Sequence, residues 1–123
     1  MFFSSLEITG HTGFSDNFTD SNFTANPVWV GETSKFEIDA AKELQLNNTT
    51  ATSNNETYLT TASIVINDAL GEFYIRLDFS PSSINFAKIY LTSDNADLAA
   101  PLNGYYVKVG RQSGTVDDGR LHR

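Results

Sequence analysis

Residues 72–79 alternate without a break: Phe73, Ile75, Leu77 and Phe79 are separated by Tyr74, Arg76 and Asp78. A period of two sends successive side chains to opposite faces, so this stretch reads as a strand with one buried and one wet side. The same period recurs more briefly elsewhere. Residues 35–38 and 44–46 are short strand candidates around Ala40, Ala41 and Lys42, and residues 58–66 are β-branched. In residues 86–93, Ala87, Ile89 and Leu91 share one face. After Gly104, Tyr105, Val107 and Val109 alternate with Tyr106 and Lys108. Polar segments 47–56 and 94–103, and the break at Ser80, Pro81, Ser82 and Ser83, separate these runs; Pro81 has no N–H to give to a ladder. Apolar residues nowhere repeat at helical spacing over three turns. The pattern predicts an all-β, antiparallel protein, a β-sandwich or barrel of short strands.

A chain of 123 residues is long enough for one domain, with a core that needs no metal or disulfide. Cysteine is absent, which removes thiol nucleophiles, disulfides and thiolate metal sites. The net charge of −7 disfavours nucleic acid and anionic lipid as partners of the whole chain. Asn, Thr and Ser are abundant and charged residues are only 19%, a surface common in extracellular β proteins. No apolar run is long enough to cross a bilayer. Residues 1–13 read as a leader remnant or a disordered N-terminus, residues 14–110 as the β domain, and residues 111–123 as a flexible tail rich in Gly, Asp and Arg.

Histidine occurs only as His11 and His122, both near the termini, which is poor placement for a general base or a metal ligand. No nucleophile elbow, phosphate loop or zinc motif is present. Asp94 and Asp97 share one loop, and Glu72 and Asp78 one strand; neither pair is opposed across a cleft as glycoside hydrolysis requires. These residues predict a protein that is not an enzyme. Asp16, Asp20 and Asn22 crowd hard oxygen donors into one segment, a candidate structural calcium site set against ordinary turn chemistry. With Ile75, Ile89 and Val107 facing the core, Tyr74, Arg76, Lys88, Tyr90, Tyr106 and Lys108 fall on the opposite side of their strands. Three tyrosines interleaved with three cations form a candidate glycan platform, weighed against plain cross-strand packing. Five Asn-x-Thr acceptors occur, at Asn17, Asn22, Asn47, Asn48 and Asn55; in a chain this rich in Asn and Thr chance explains most of them, and in a eukaryotic protein they would mark surface loops.

Several segments, taken in order, resemble a known family. They are Phe14 to Phe18; Asn26, Pro27, Val28 and Trp29 with Gly31; Leu44 to Asn47; Tyr58, Leu59 and Thr60; Phe79 to Ser83; Tyr90 to Asp94; and Leu102 to Val107. Together they resemble the N-terminal concanavalin A or laminin-G type domain of large Bacteroidetes surface proteins that carry lamin-tail-like domains. The resemblance implies a jelly-roll sandwich, displayed outside the cell beside other domains of a larger parent chain. It carries over no catalytic residues. Jelly rolls of this kind are longer, so the sandwich is expected to be incomplete at its C-terminus. The function expected is a carbohydrate-binding or adhesin-like module; the alternative is an architectural spacer with no ligand of its own.

Overall fold

The computed structural model describes residues 1–9, 13–50, 55–64, 70–110 and 118–123. Among them the chain is all-β, with antiparallel pairing throughout and one short 3-10 turn at Thr33–Lys35. The strands are β1 (Phe2–Thr9), β2 (Phe14–Asp16), β3 (Trp29–Gly31), β4 (Phe36–Ile38), β5 (Leu44–Leu46), β6 (Leu59–Thr61), β7 (Leu70–Arg76), β8 (Ala87–Ser93), β9 (Gly104–Gly110) and β10 (Asp118–His122). They fall into two compact units, Phe2–Arg76 and Leu77–Arg123, the latter joined by Met1.

The first unit is built on β1, where the sequence predicts a leader remnant or disorder. Residues 2–9 are an ordered, paired strand, against the expectation of disorder there. β7 pairs along one edge of β1, while the other edge takes β5 at Phe2 and Phe3 and β2 at Leu6 to Ile8. A bulge between Phe3 and Ser5 restores the register, so Phe3 lies opposite Ile75 and Leu6 opposite Phe73. One inserted residue shifts the side-chain parity, which is why Phe3 and Leu6 do not look like members of one face. β4 and β5 form a hairpin as their short apolar runs predict. Its turn is held by the Asp39 carboxylate, which accepts from the amides of Ala41 and Glu43 at 2.9 Å each. β3 and β6 make a separate ribbon. Gly31 is obligatory there: its φ is +125°, and a Cβ would meet the Tyr58 carbonyl oxygen at 2.6 Å. Of the candidate strand 58–66, residues 65 and 66 lie outside the described set.

Among the described residues, Phe18, Trp29, Phe36 and Leu44 are the buried apolar side chains of this unit. Phe14 meets the Trp29 ring edge-on at 5.8 Å, and Phe18 lies at 6.5 Å from it. Asp16 is buried among them and holds the cluster in place. Its Oδ2 accepts from Trp29 Nε1 at 2.8 Å, and its Oδ1 accepts from the Phe18 amide at 2.9 Å. The second bond closes an Asx turn that carries Phe18 into the left-handed region, at φ 57°.

The second unit contains a three-stranded sheet in the order β10-β9-β8. Ala87 and Ile89 are buried on one face, as their alternation predicts, with Val107 opposite Ile89 and Val109 opposite Ala87. Leu91 is not their neighbour on that face: a bulge between Tyr90 and Thr92 leaves it without a partner in the register, and it is exposed. Gly104 permits this distortion, because a Cβ there would sit 2.2 Å from the Thr92 carbonyl oxygen. β10 corrects a second boundary. Residues 118–122 are a strand paired with β9, not a tail; residues 111–117 lie outside the described set. Its one large apolar residue, Leu121, is 65% exposed, so this edge strand buries no hydrophobic face and gives no hydrophobic period to read.

Candidate functional site

The register of the second sheet sorts its polar face into two rows. Lys88 lies opposite Lys108, which lies opposite Arg120. One step along, Tyr90 lies opposite Tyr106, which lies opposite His122. Each row takes one residue from each strand, so a row of three cations runs beside a row of three rings. The tyrosine rings of 90 and 106 are 5.0 Å apart and tilted by 39°. Tyr106 and His122 are 5.1 Å apart and nearly parallel, at 8°. The middle ring therefore has a neighbour on each side. What this row offers a ligand is chiefly ring edges and phenolic hydroxyls.

The lysines are held by rings as well. Lys108 Nζ lies 3.8 Å from the centre of Phe86, and Lys88 Nζ is 5.7 Å from Phe86 and 5.4 Å from Tyr106. Phe86 can occupy this place because Gly110 has no side chain: a Cβ on Gly110 would stand 2.8 Å from Phe86 Cβ, and its φ is +146°. No acidic residue shares either row. Like charges directly opposite one another on neighbouring strands destabilise a sheet by a few tenths to about 1 kcal/mol per pair. The ring contacts of Lys88 and Lys108 act against that cost.

Of the six residues predicted to share a platform, the structure brings four onto this face: Lys88, Tyr90, Tyr106 and Lys108. Tyr74 and Arg76 stand on β7, which belongs to the sheet of the first unit. Tyr74 is exposed there, opposite Ser5. Arg76 is engaged locally, 4.2 Å from the Phe2 ring centre and 3.2 Å from Glu43 Oε2. His122 and Arg120, absent from the predicted platform, complete its rows; His11 lies outside the described residues.

The residues of the predicted cation site, Asp16, Asp20 and Asn22, take part in successive turns. Asp16 directs both oxygens to Trp29 and Phe18. Asp20 accepts from the Asn22 amide at 3.0 Å, and the Asn22 carboxamide accepts from the Thr24 amide and hydroxyl at 2.8 and 2.9 Å. No group of three or more His, Cys, Asp or Glu residues is placed to hold a metal ion among the described residues. The Asp94–Asp97 loop is likewise built on its own donors. Asp94 Oδ1 accepts from the Asn103 amide at 2.7 Å and its Oδ2 from the Asn103 side-chain amide at 2.8 Å, while Asp97 accepts from the Ala99 amide at 3.0 Å.

Hydrogen bonds from the Asn103 side chain and then from its backbone hold Asp94 below its ordinary pKa of 3.8. A depressed folded-state pKa stabilises the loop closure above the ordinary carboxylate range, and that contribution is lost as pH falls through the folded value. Asn103 amide exchange is therefore expected to be slow and insensitive to pH-driven opening at neutrality, and to lose protection only below about pH 4. In Asp94→Ala that protection is absent at every pH. Hydrogen exchange followed by NMR measures both.

The described elements define an all-β protein of antiparallel sheets, with a cation row and an aromatic row side by side on one sheet face. The chain matches no family model, no curated protein and no solved structure. No helix among the described residues is long and apolar enough to cross a membrane.

Proposed function

We propose that this chain is a non-catalytic, extracellular β-sandwich module of the concanavalin A or laminin-G jelly-roll type that binds carbohydrate through the polar face of β8, β9 and β10. The observation that carries this reading is the register: Tyr90, Tyr106 and His122 in one row, Lys88, Lys108 and Arg120 in the next. Phenolic hydroxyls and ammonium groups donate to sugar hydroxyl and ring oxygens, and ring edges pack against sugar C–H groups. The reading is confined to this face, without Tyr74 and Arg76. The likeness to Bacteroidetes surface domains supports the display of such a module on a larger parent chain at the cell surface.

Amide chemical shifts test the site. Titration with a bound glycan is expected to move the signals of Lys88, Tyr90, Tyr106, Lys108, Arg120 and His122 first. Movement confined to other residues contradicts it. The stacking of Tyr106 between Tyr90 and His122 favours a second reading, an architectural spacer whose rings serve only to hold three strands together.

A further inference from the structure

We infer that two copies of this chain associate by pairing β10 antiparallel with β10 of the second copy, about a two-fold axis at Leu121. The inference is independent of the glycan reading. It starts from an edge. In the order β10-β9-β8, β10 has β9 on one side and no strand on the other among the described residues. An uncovered edge offers main-chain N–H and C=O groups to another strand, and folded proteins blunt such edges with bulges, prolines or a cover. β8, the opposite edge of this sheet, has a bulge between Tyr90 and Thr92. β10 has none: Asp118 to His122 pair with β9 in unbroken register, and the strand contains no proline.

The apolar side of the sheet is open at the same strand. Over β8 that face is covered, with Ala87 and Ile89 each 6% exposed. Over β10 it is not. Leu121, opposite Val107, is 65% exposed, and Tyr105, two residues before Val107 on the same face, is 44% exposed. Symmetry then fixes the register. A two-fold axis normal to the sheet keeps each residue on its own face, so paired positions differ by an even number. Centred on Leu121, the axis sets this side chain directly against Leu121 of the second copy, with Gly119 opposite Arg123 and Arg120 opposite His122. Moved by one residue either way, it sets Leu121 against Gly119 or Arg123, and no apolar pair forms.

Charge favours this surface over the other exposed apolar positions. The first unit holds ten acidic and three basic residues, whereas the second holds five of each. Exposed Val28 and Val30 belong to the first unit, where a symmetric contact opposes like net charge to like. The second unit is neutral overall and meets its own copy without that cost. The two polar faces then lie on one side of a six-stranded sheet.

The test is sedimentation of the full chain at concentrations from about 10 µM to 1 mM; a contact confined to one strand is small, so a weak dimer that dissociates within this range is expected. Leu121→Lys is expected to abolish the dimer, with melting within a few degrees of the parent because the side chain is exposed. The chain has no cysteine, so single-cysteine variants read the register on oxidation. Directly opposed residues stand about 4.5–5.5 Å apart at Cα, within reach of a disulfide. Leu121→Cys is expected to form a covalent dimer about tenfold faster than Gly119→Cys, whose two copies lie apart in this register. A chain that stays monomeric across the whole range overturns the inference. A dimer that survives Leu121→Lys overturns the assigned surface, and faster crosslinking of Gly119→Cys overturns the axis at Leu121.

Discussion

Replacing Asp16 with alanine is expected to destabilise the first unit by about 4 kcal/mol, the largest loss among single substitutions at its polar residues. Two buried donors, Trp29 Nε1 and the Phe18 amide, converge on this one carboxylate at 2.8 and 2.9 Å. Removing it strands both, and a buried donor left without a partner costs about 1–3 kcal/mol. The second donor has a further consequence. Phe18 is only 1% exposed yet sits at φ 57°, a conformation that costs a residue with a side chain about 1–2 kcal/mol. The Asx turn to Asp16 helps to hold it there, so the variant also weakens the seating of the most buried side chain against Trp29. Asp16→Asn keeps one acceptor and turns an NH2 group toward the other donor, and should lose about half as much. Urea denaturation followed by Trp29 fluorescence measures both.

Gly110→Ala is expected to cost about 3 kcal/mol and to disturb binding as well as stability. Its φ of +146° is disfavoured for any residue with a Cβ, and the added carbon would meet Phe86 Cβ at 2.8 Å and Pro81 Cβ at 3.3 Å. Neither neighbour is the tip of a flexible side chain that can swing away. Phe86 must shift, and both lysine ammonium groups pack against its ring. The substitution thus reaches the cation row through the ring beneath it. Gly119→Ala is the matched control, since its Cβ would find only ordinary contact at 3.9 Å and beyond. Thermal melting of the two variants side by side separates the effect of position from that of the added methyl group.

The legible parts of this fold are those where alternation coincides with burial. Phe73, Ile75, Leu77 and Phe79 follow the inward half of a period that continues past the last paired residue of β7, Arg76. Ala87, Ile89 and Val107 place the face of β8 and β9 correctly, and with it four of the platform residues. The three-residue strands β2 and β3 escaped as too short to show a period, and two longer strands escaped for other reasons. β1 hides its period behind a bulge at residue 4, so the apolar residues on either side of it fall out of phase. β10 hides because it is an edge strand whose one large apolar side chain stays exposed. Its polar residues, Arg120 and His122, are the ones that finish the two rows. The Asp16–Trp29 bond spans thirteen residues, and no local pattern announces it. Asp20 and Asn22 display the oxygen-rich composition common to cation loops and Asx turns; only geometry tells where the lone pairs go.

The most direct test of a recognition face is a glycan-array screen of the full chain beside Tyr90→Ala, with the melting of both recorded. The account predicts reproducible binding of one glycan class by the parent, and its loss in Tyr90→Ala at nearly unchanged melting temperature. A well-folded parent that binds nothing, with Tyr90→Ala melting far below it, contradicts that account and assigns the ring row to packing alone.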